Sequence, residues 1–184
     1  MGALKVEKVK VAPNQFSHFM ARSKSINFPN TESELSTLFD KLQRATVNSL
    51  FNTGALAIKA GASALAKTVN TVYVMIDGAV FSKAAADMAA LAGSVTNAKY
   101  NVFVFGVNSA GTLTTQMGTE GATLGAVVFP TLADGVIAIG FVIVNPTGTG
   151  PFVGGTTALD DGTVVPNAVY VNTVGEFFPQ FSTL

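Results

Sequence analysis

Ala126-Val-Val-Phe-Pro130, Leu132-Ala-Asp-Gly135 and Val136-Ile-Ala-Ile-Gly-Phe-Val-Ile-Val144 lie close together within the stretch Gly118–Asn172, and their reading decides the fold. Two apolar runs meet at a turn. Both are short and rich in β-branched residues, and Pro130 with Asp134-Gly135 keeps them from fusing into one helix. The pattern predicts two buried strands. Beyond them, Asn145-Pro-Thr-Gly-Thr-Gly150 is a turn-forming string, and Gly154–Gly162 is a polar loop in which nothing is arranged for chemistry.

Working outward, apolar residues alternate at a period of about two from Gly54 to the end of the chain. Candidate strands are Ala55–Lys59, Ala64–Val69 and Thr71–Ile76, followed by Asp77-Gly78, the strongest hairpin signal present. Lys83–Ala92 is alanine-rich and ambiguous, reading mostly as coil with a short helix as the alternative. Tyr100–Val107 and Thr112–Met117 form a second hairpin around Asn108-Ser-Ala-Gly111, and Ala122–Phe129, Val136–Val144 and Val169–Val174 complete the series. Short strands with evenly spaced turns point to a sandwich or small barrel.

Before Gly54 the period is helical. Thr31-Glu-Ser-Glu34 is a capping box, and Leu35, Leu38, Phe39, Leu42, Thr46 and Leu50 follow at helical spacing, so a helix is expected over about 31–52. Asn52–Gly54 supplies the stop, with Gly54 suited to a left-handed C′ position. Val47 and Phe51 make the apolar stripe wider than one contact surface needs. Upstream, Leu4–Glu7 and Val9–Val11 alternate like a short edge strand that Pro13 stops, and Ala12–Asn30 has no period but carries Phe16, Phe19, Met20, Ile26 and Phe28. Two readings fit that segment: it packs on its own domain, or it lies as an arm across a neighbouring subunit. The expected fold is mainly β: a compact antiparallel β-sandwich or barrel-like domain over 55–184, ending in the aromatic tail Phe177-Phe178 and Phe181. An extended arm and one amphipathic α-helix over 1–54 precede it.

Composition favours assembly over catalysis. Only 12% of the 184 residues are charged while 48% are hydrophobic, against roughly 25% charged in an average soluble protein. Such a chain has apolar area to place in an interface. Every Lys and Arg lies at or before Lys99, so the second half lacks the clustered cations that phosphate contact needs, and no nucleic-acid partner is expected. Cysteine is absent, which removes disulfides and thiolate chemistry. No apolar run reaches the roughly 20 residues of a membrane span, and the N-terminus lacks a signal peptide's apolar region. The reading is a soluble, unprocessed protein with no membrane partner.

Candidate chemistry is sparse. His18 is the only histidine, so a two-histidine metal site within one chain is impossible. Asp160-Asp161-Gly162 lacks the ligand spacing of an EF-hand and reads as a turn. Gly118-Thr-Glu-Gly121 and Gly148-Thr-Gly150 lack the Lys-Ser/Thr ending of a phosphate loop. No catalytic, cofactor-binding or metal residues are expected, and no cofactor. The candidate oligomer or partner contacts are Phe16, Phe19, Phe28, Leu35, Phe39, Leu42, Val47 and Phe51.

Five segments carry a family resemblance: Met117-Gly-Thr-Glu-Gly-Ala-Thr-Leu, Ala126-Val-Val-Phe-Pro, Ile139-Gly-Phe-Val-Ile-Val-Asn-Pro-Thr-Gly-Thr-Gly, Phe152-Val-Gly-Gly-Thr-Thr-Ala-Leu-Asp-Asp and Val165-Pro-Asn-Ala-Val-Tyr-Val-Asn-Thr-Val-Gly. Together, over most of residues 50–175, the chain resembles structural proteins of tailed bacteriophages that act as capsid decoration (cement) or head-fibre proteins. These are framework motifs, and no site residue carries over. The resemblance implies a non-enzymatic virion component, made in the host cytoplasm and attached as a homotrimer to the outer face of the shell, with the major capsid protein as partner. The alternative it leaves open is a head- or tail-fibre module that binds a host receptor or glycan.

Overall fold

Asp77 and Gly78 both adopt positive φ, 52° and 77°, the conformation a two-residue type I′ hairpin turn demands. The turn joins β4 (Val72–Ile76) to β5 (Ala79–Lys83), whose register runs from Ile76↔Ala79 to Val72↔Lys83. A computed structural model of the chain describes residues 48–174, and these all fall within one compact unit. The expected arm, the helix over 31–47, the aromatic tail and His18 lie outside the described residues.

The described chain is mainly β, arranged in several antiparallel sheets. β1 (Ser49–Leu50) joins β4 and β5 in the order β1-β4-β5. β7 (Asn101–Asn108), β8 (Leu113–Met117), β9 (Val136–Val144) and β11 (Val169–Asn172) form the largest sheet, in the order β11-β9-β7-β8. Two small pairs complete the set: β2 (Leu56–Ile58) with β3 (Ala66–Thr68), and β6 (Ser94–Val95) with β10 (Phe152–Val153).

One core unites these sheets. Leu50, Val74 and Ile76 from the three-stranded sheet meet Phe103, Phe105 and Ile139 from the four-stranded one, with Phe152 of β10 among them. β7 keeps strict alternation, sending Phe103, Phe105 and Val107 into this core and Val102 and Val104 to the opposite face. β9 does not. Its core residues are Ile137 and Ile139, then Val142 and Val144, a change of parity at Gly140. The cause is a bulge: Phe105 faces Gly140 while Gly106 faces Ala138, so Ile139 is an extra residue that resets the phase.

The run Ala122–Phe129, expected as a buried strand, is not one. It holds a 3-10 turn at Leu124–Ala126 and a single bridge, Thr119↔Val128. Gly121 packs so tightly on the backbone of Ala126 that a Cβ there would lie 2.6 Å from its carbonyl carbon. The chain therefore doubles back on itself and has no ladder left to offer. Its apolar residues serve differently: Val127 and Phe129, with Leu132 just beyond the run, cover the second face of the four-stranded sheet, and Phe129 stands edge-on to Phe141 at 5.0 Å. Both faces of β7 are thereby buried, which accounts for its unbroken apolar sequence.

The last part of the expected helix, 48–52, is also corrected. Ser49 and Leu50 pair with Met75 and Val74, and asparagines bracket this short strand. Asn48 Oδ1 accepts the Asp77 N–H at 2.8 Å, while Asn52 accepts from the Tyr73 N–H at 2.7 Å and donates to the Thr71 carbonyl at 2.8 Å. These side chains extend the pairing that two residues alone could not hold. Gly54 is not a left-handed cap either; positive φ falls on Ala55. Gly54 is small because a Cβ would sit 2.8 Å from Ile139 Cγ2.

Candidate functional site

Alternation in the hairpin decides which side chains remain available for contact. Val72, Val74 and Ile76 point into the core, so Tyr73 and Met75 must point out, and the register puts Ser82 and Val80 beside them. Phe51 continues the row, its N–H donating to the Tyr73 carbonyl at 2.9 Å. The outer face of β1-β4-β5 is thus uncharged and mostly apolar, with Ser82 among its residues: Phe51 is 50% exposed, Tyr73 51% and Val80 65%. Directly opposed aromatic and aliphatic side chains on a sheet form a nearly flat contact area with little rotamer freedom to lose.

Of the residues expected from sequence to make contacts, the structure places Phe51 on this face. Phe16, Phe19, Phe28, Leu35, Phe39, Leu42 and Val47 lie outside the described residues. Tyr73, Met75 and Val80 were not singled out, although the same period-two pattern that marks the hairpin assigns them to one face.

The acidic loops are occupied with structure. Asp161 Oδ1 accepts the Thr163 and Val164 N–H groups at 2.8 and 3.2 Å, and the Asp160 carboxylate accepts the Ala62 N–H. The sequence reading of this pair as a turn fits that geometry, and the turn seats Leu159 and Val165 in the core. Among the described residues, no group of three or more His, Cys, Asp or Glu is placed to hold a metal ion. Glu120 holds Thr96 through the backbone N–H at 2.9 Å and the hydroxyl at 3.0 Å, and these bonds keep its carboxyl below the ordinary value. Lys59 pairs with Asp87 at 2.7 Å on the surface, a contact worth at most about 1 kcal/mol.

Among the described residues, Tyr170 is the one strongly displaced titrating group. Burial, followed by the nearby charge of Asp160, pushes its phenol from 10.0 up to about 12, and its hydroxyl is buried with no hydrogen-bond partner among the described residues. The folded phenol keeps its proton where the unfolded one has lost it, so stability is full below about pH 10 and declines as pH rises toward about 12. Tyr170→Phe should remove that alkaline decline. At neutral pH it should leave the unfolding midpoint unchanged or higher, because an unpaired buried hydroxyl is lost. Denaturant midpoints at about pH 9 and about pH 11 test both points; an equal alkaline decline in the variant would refute the assignment.

Comparison with protein-family models, with curated proteins and with solved structures gave no match. Among the described residues no helix is long and apolar enough to cross a membrane.

Proposed function

We propose that this chain is a non-enzymatic structural protein of a virion, bound as a homotrimer to the outer face of a capsid shell and stabilising it by bridging copies of the major capsid protein. The observation that carries this reading is the uncharged outer face of β1-β4-β5, where Phe51, Tyr73 and Val80 stand half or more exposed on a rigid hairpin. Aromatic anchors of this kind dominate binding energy in protein interfaces. Cations are scarce around them, the described residues holding only Lys59, Lys67, Lys83 and Lys99. The framework motifs quoted above resemble decoration proteins and supply the shell as partner. A three-stranded and a four-stranded sheet closing on one core is the layering of a sandwich, a stiff body suited to spanning subunits.

The test is cosedimentation of the purified protein with undecorated shells. Phe51→Ser combined with Tyr73→Glu should weaken binding by about a hundredfold while leaving the thermal midpoint nearly unchanged, since neither side chain enters the core. Undiminished binding would remove the face from the interface. Imaging of intact particles provides a second check: a position at the tail tip would replace decoration by the fibre reading.

A further inference from the structure

We infer that the free edge of β5 is a self-pairing edge, at which a second copy of the chain adds its own β5 antiparallel across a twofold axis. The hairpin geometry leads there. In a two-residue hairpin the residues flanking the turn exchange hydrogen bonds, and bonded pairs then alternate along the ladder. Ile76↔Ala79, Val74↔Phe81 and Val72↔Lys83 are therefore the bonded pairs, and the backbone groups of Tyr73 and Met75 point away toward β1. The Phe51 N–H to Tyr73 carbonyl bond agrees. By the same count, Val80 and Ser82 point both backbone groups outward, and they have no backbone partner there among the described residues. Such an edge is a template for another strand.

Charge selects the strand. Asp77 and Lys83 stand at opposite ends of this edge, and neither forms an ion pair among the described residues. When Val80 pairs with Ser82 of a second copy, Phe81 meets its own symmetry mate, and Lys83 stands opposite Ala79, diagonal to Asp77 of that copy. Diagonal neighbours about 7–8 Å apart lie within reach of a lysine. The twofold repeats the ion pair, as an isologous contact requires. It also makes the outer apolar faces of two copies continuous. The pairing stands apart from shell binding and is compatible with a threefold body as the link between two such bodies.

Native mass spectrometry and sedimentation of the full chain over a concentration series test the pairing without any shell. Val80→Pro deletes an outward N–H and no bond of the β4–β5 ladder, which edge positions tolerate, and should halve the assembly mass. Lys83→Glu opposes Asp77 of the second copy with a like charge and should weaken self-association about tenfold. Adding Asp77→Asn, which keeps a residue suited to the turn, should restore part of it. An unchanged mass for a Val80→Pro variant with parental circular dichroism would overturn the proposal. If that variant does not fold, an unchanged dissociation constant for Lys83→Glu would overturn it equally. Weakened self-association of Lys83→Glu, which lies outside the Phe51–Tyr73–Val80 face, together with intact shell binding would separate this contact from the proposed function.

Discussion

Gly140→Val is expected to yield protein that does not fold, and Gly140→Ala to cost about 3 kcal/mol or more. Gly140 follows the bulged residue of β9, where the sheet turns its phase, and β11 crosses close beside it. A Cβ at this position would collide with the carbonyl oxygen of Val171 and lie 2.6 Å from Leu56 Cδ1. The leucine could rotate, but the oxygen belongs to a strand held in register by Phe141↔Val171 and Gly140↔Asn172. Relief therefore means separating β11 from β9. With total stabilities of about 5–15 kcal/mol typical of a domain, that change removes a large share. Urea midpoints of Gly140→Ala and of Gly125→Ala, whose added Cβ meets nothing within 4 Å, provide the measurement and its control. Equal midpoints would show that the strands separate freely at this point.

Phe103→Ala should cost about 3–5 kcal/mol. Phe103 is fully buried on β7, one of the two inner strands of the four-stranded sheet, and its ring meets Phe152 edge-on at 5.7 Å and 64°. β10 has only two residues and one pairing partner, β6, so the aromatic contact, together with Val95 in the same core, ties this small ladder to the large sheet. Loss of the ring should lower global stability and also speed amide exchange at Val95 and Val153 beyond the global change. Phe103→Leu, which refills part of the volume, should recover roughly half of the loss. A uniform increase in exchange, with no excess at the β6–β10 pair, would show that this pair is held by other contacts.

The elements legible in the sequence were those whose side-chain pattern and turn chemistry agree. Val136–Val144 is a strand over the run as read, the Asp77-Gly78 hairpin forms where its turn signal lies, and Asn101–Asn108 with Leu113–Met117 forms the second hairpin. Where one apolar pattern serves two structures, the reading failed. Ala126-Val-Val-Phe-Pro130 is as apolar as a strand because it covers a sheet face, and cover needs no ladder. Leu50 and Phe51 match helical spacing, but Leu50 enters the core from a strand and Phe51 leaves it, a split that only pairing with β4 reveals. Two-residue strands such as Ser94–Val95 are too short for any period to register. For the contact face, Phe51 was found through a helix that does not reach it, while Tyr73 and Val80 could have been assigned from hairpin parity alone.

The hydrogen bond from the Leu56 N–H to Asn172 Oδ1, at 2.7 Å, joins residues 116 positions apart. It sits beside Gly140, where β2, β9 and β11 converge. A contact between residues so far apart carries a large loop-closure cost, which must precede the reward of its non-local partners. The closing contact between β2 and β11 therefore comes last in chain order, after β4, β7 and β9 that lie between them.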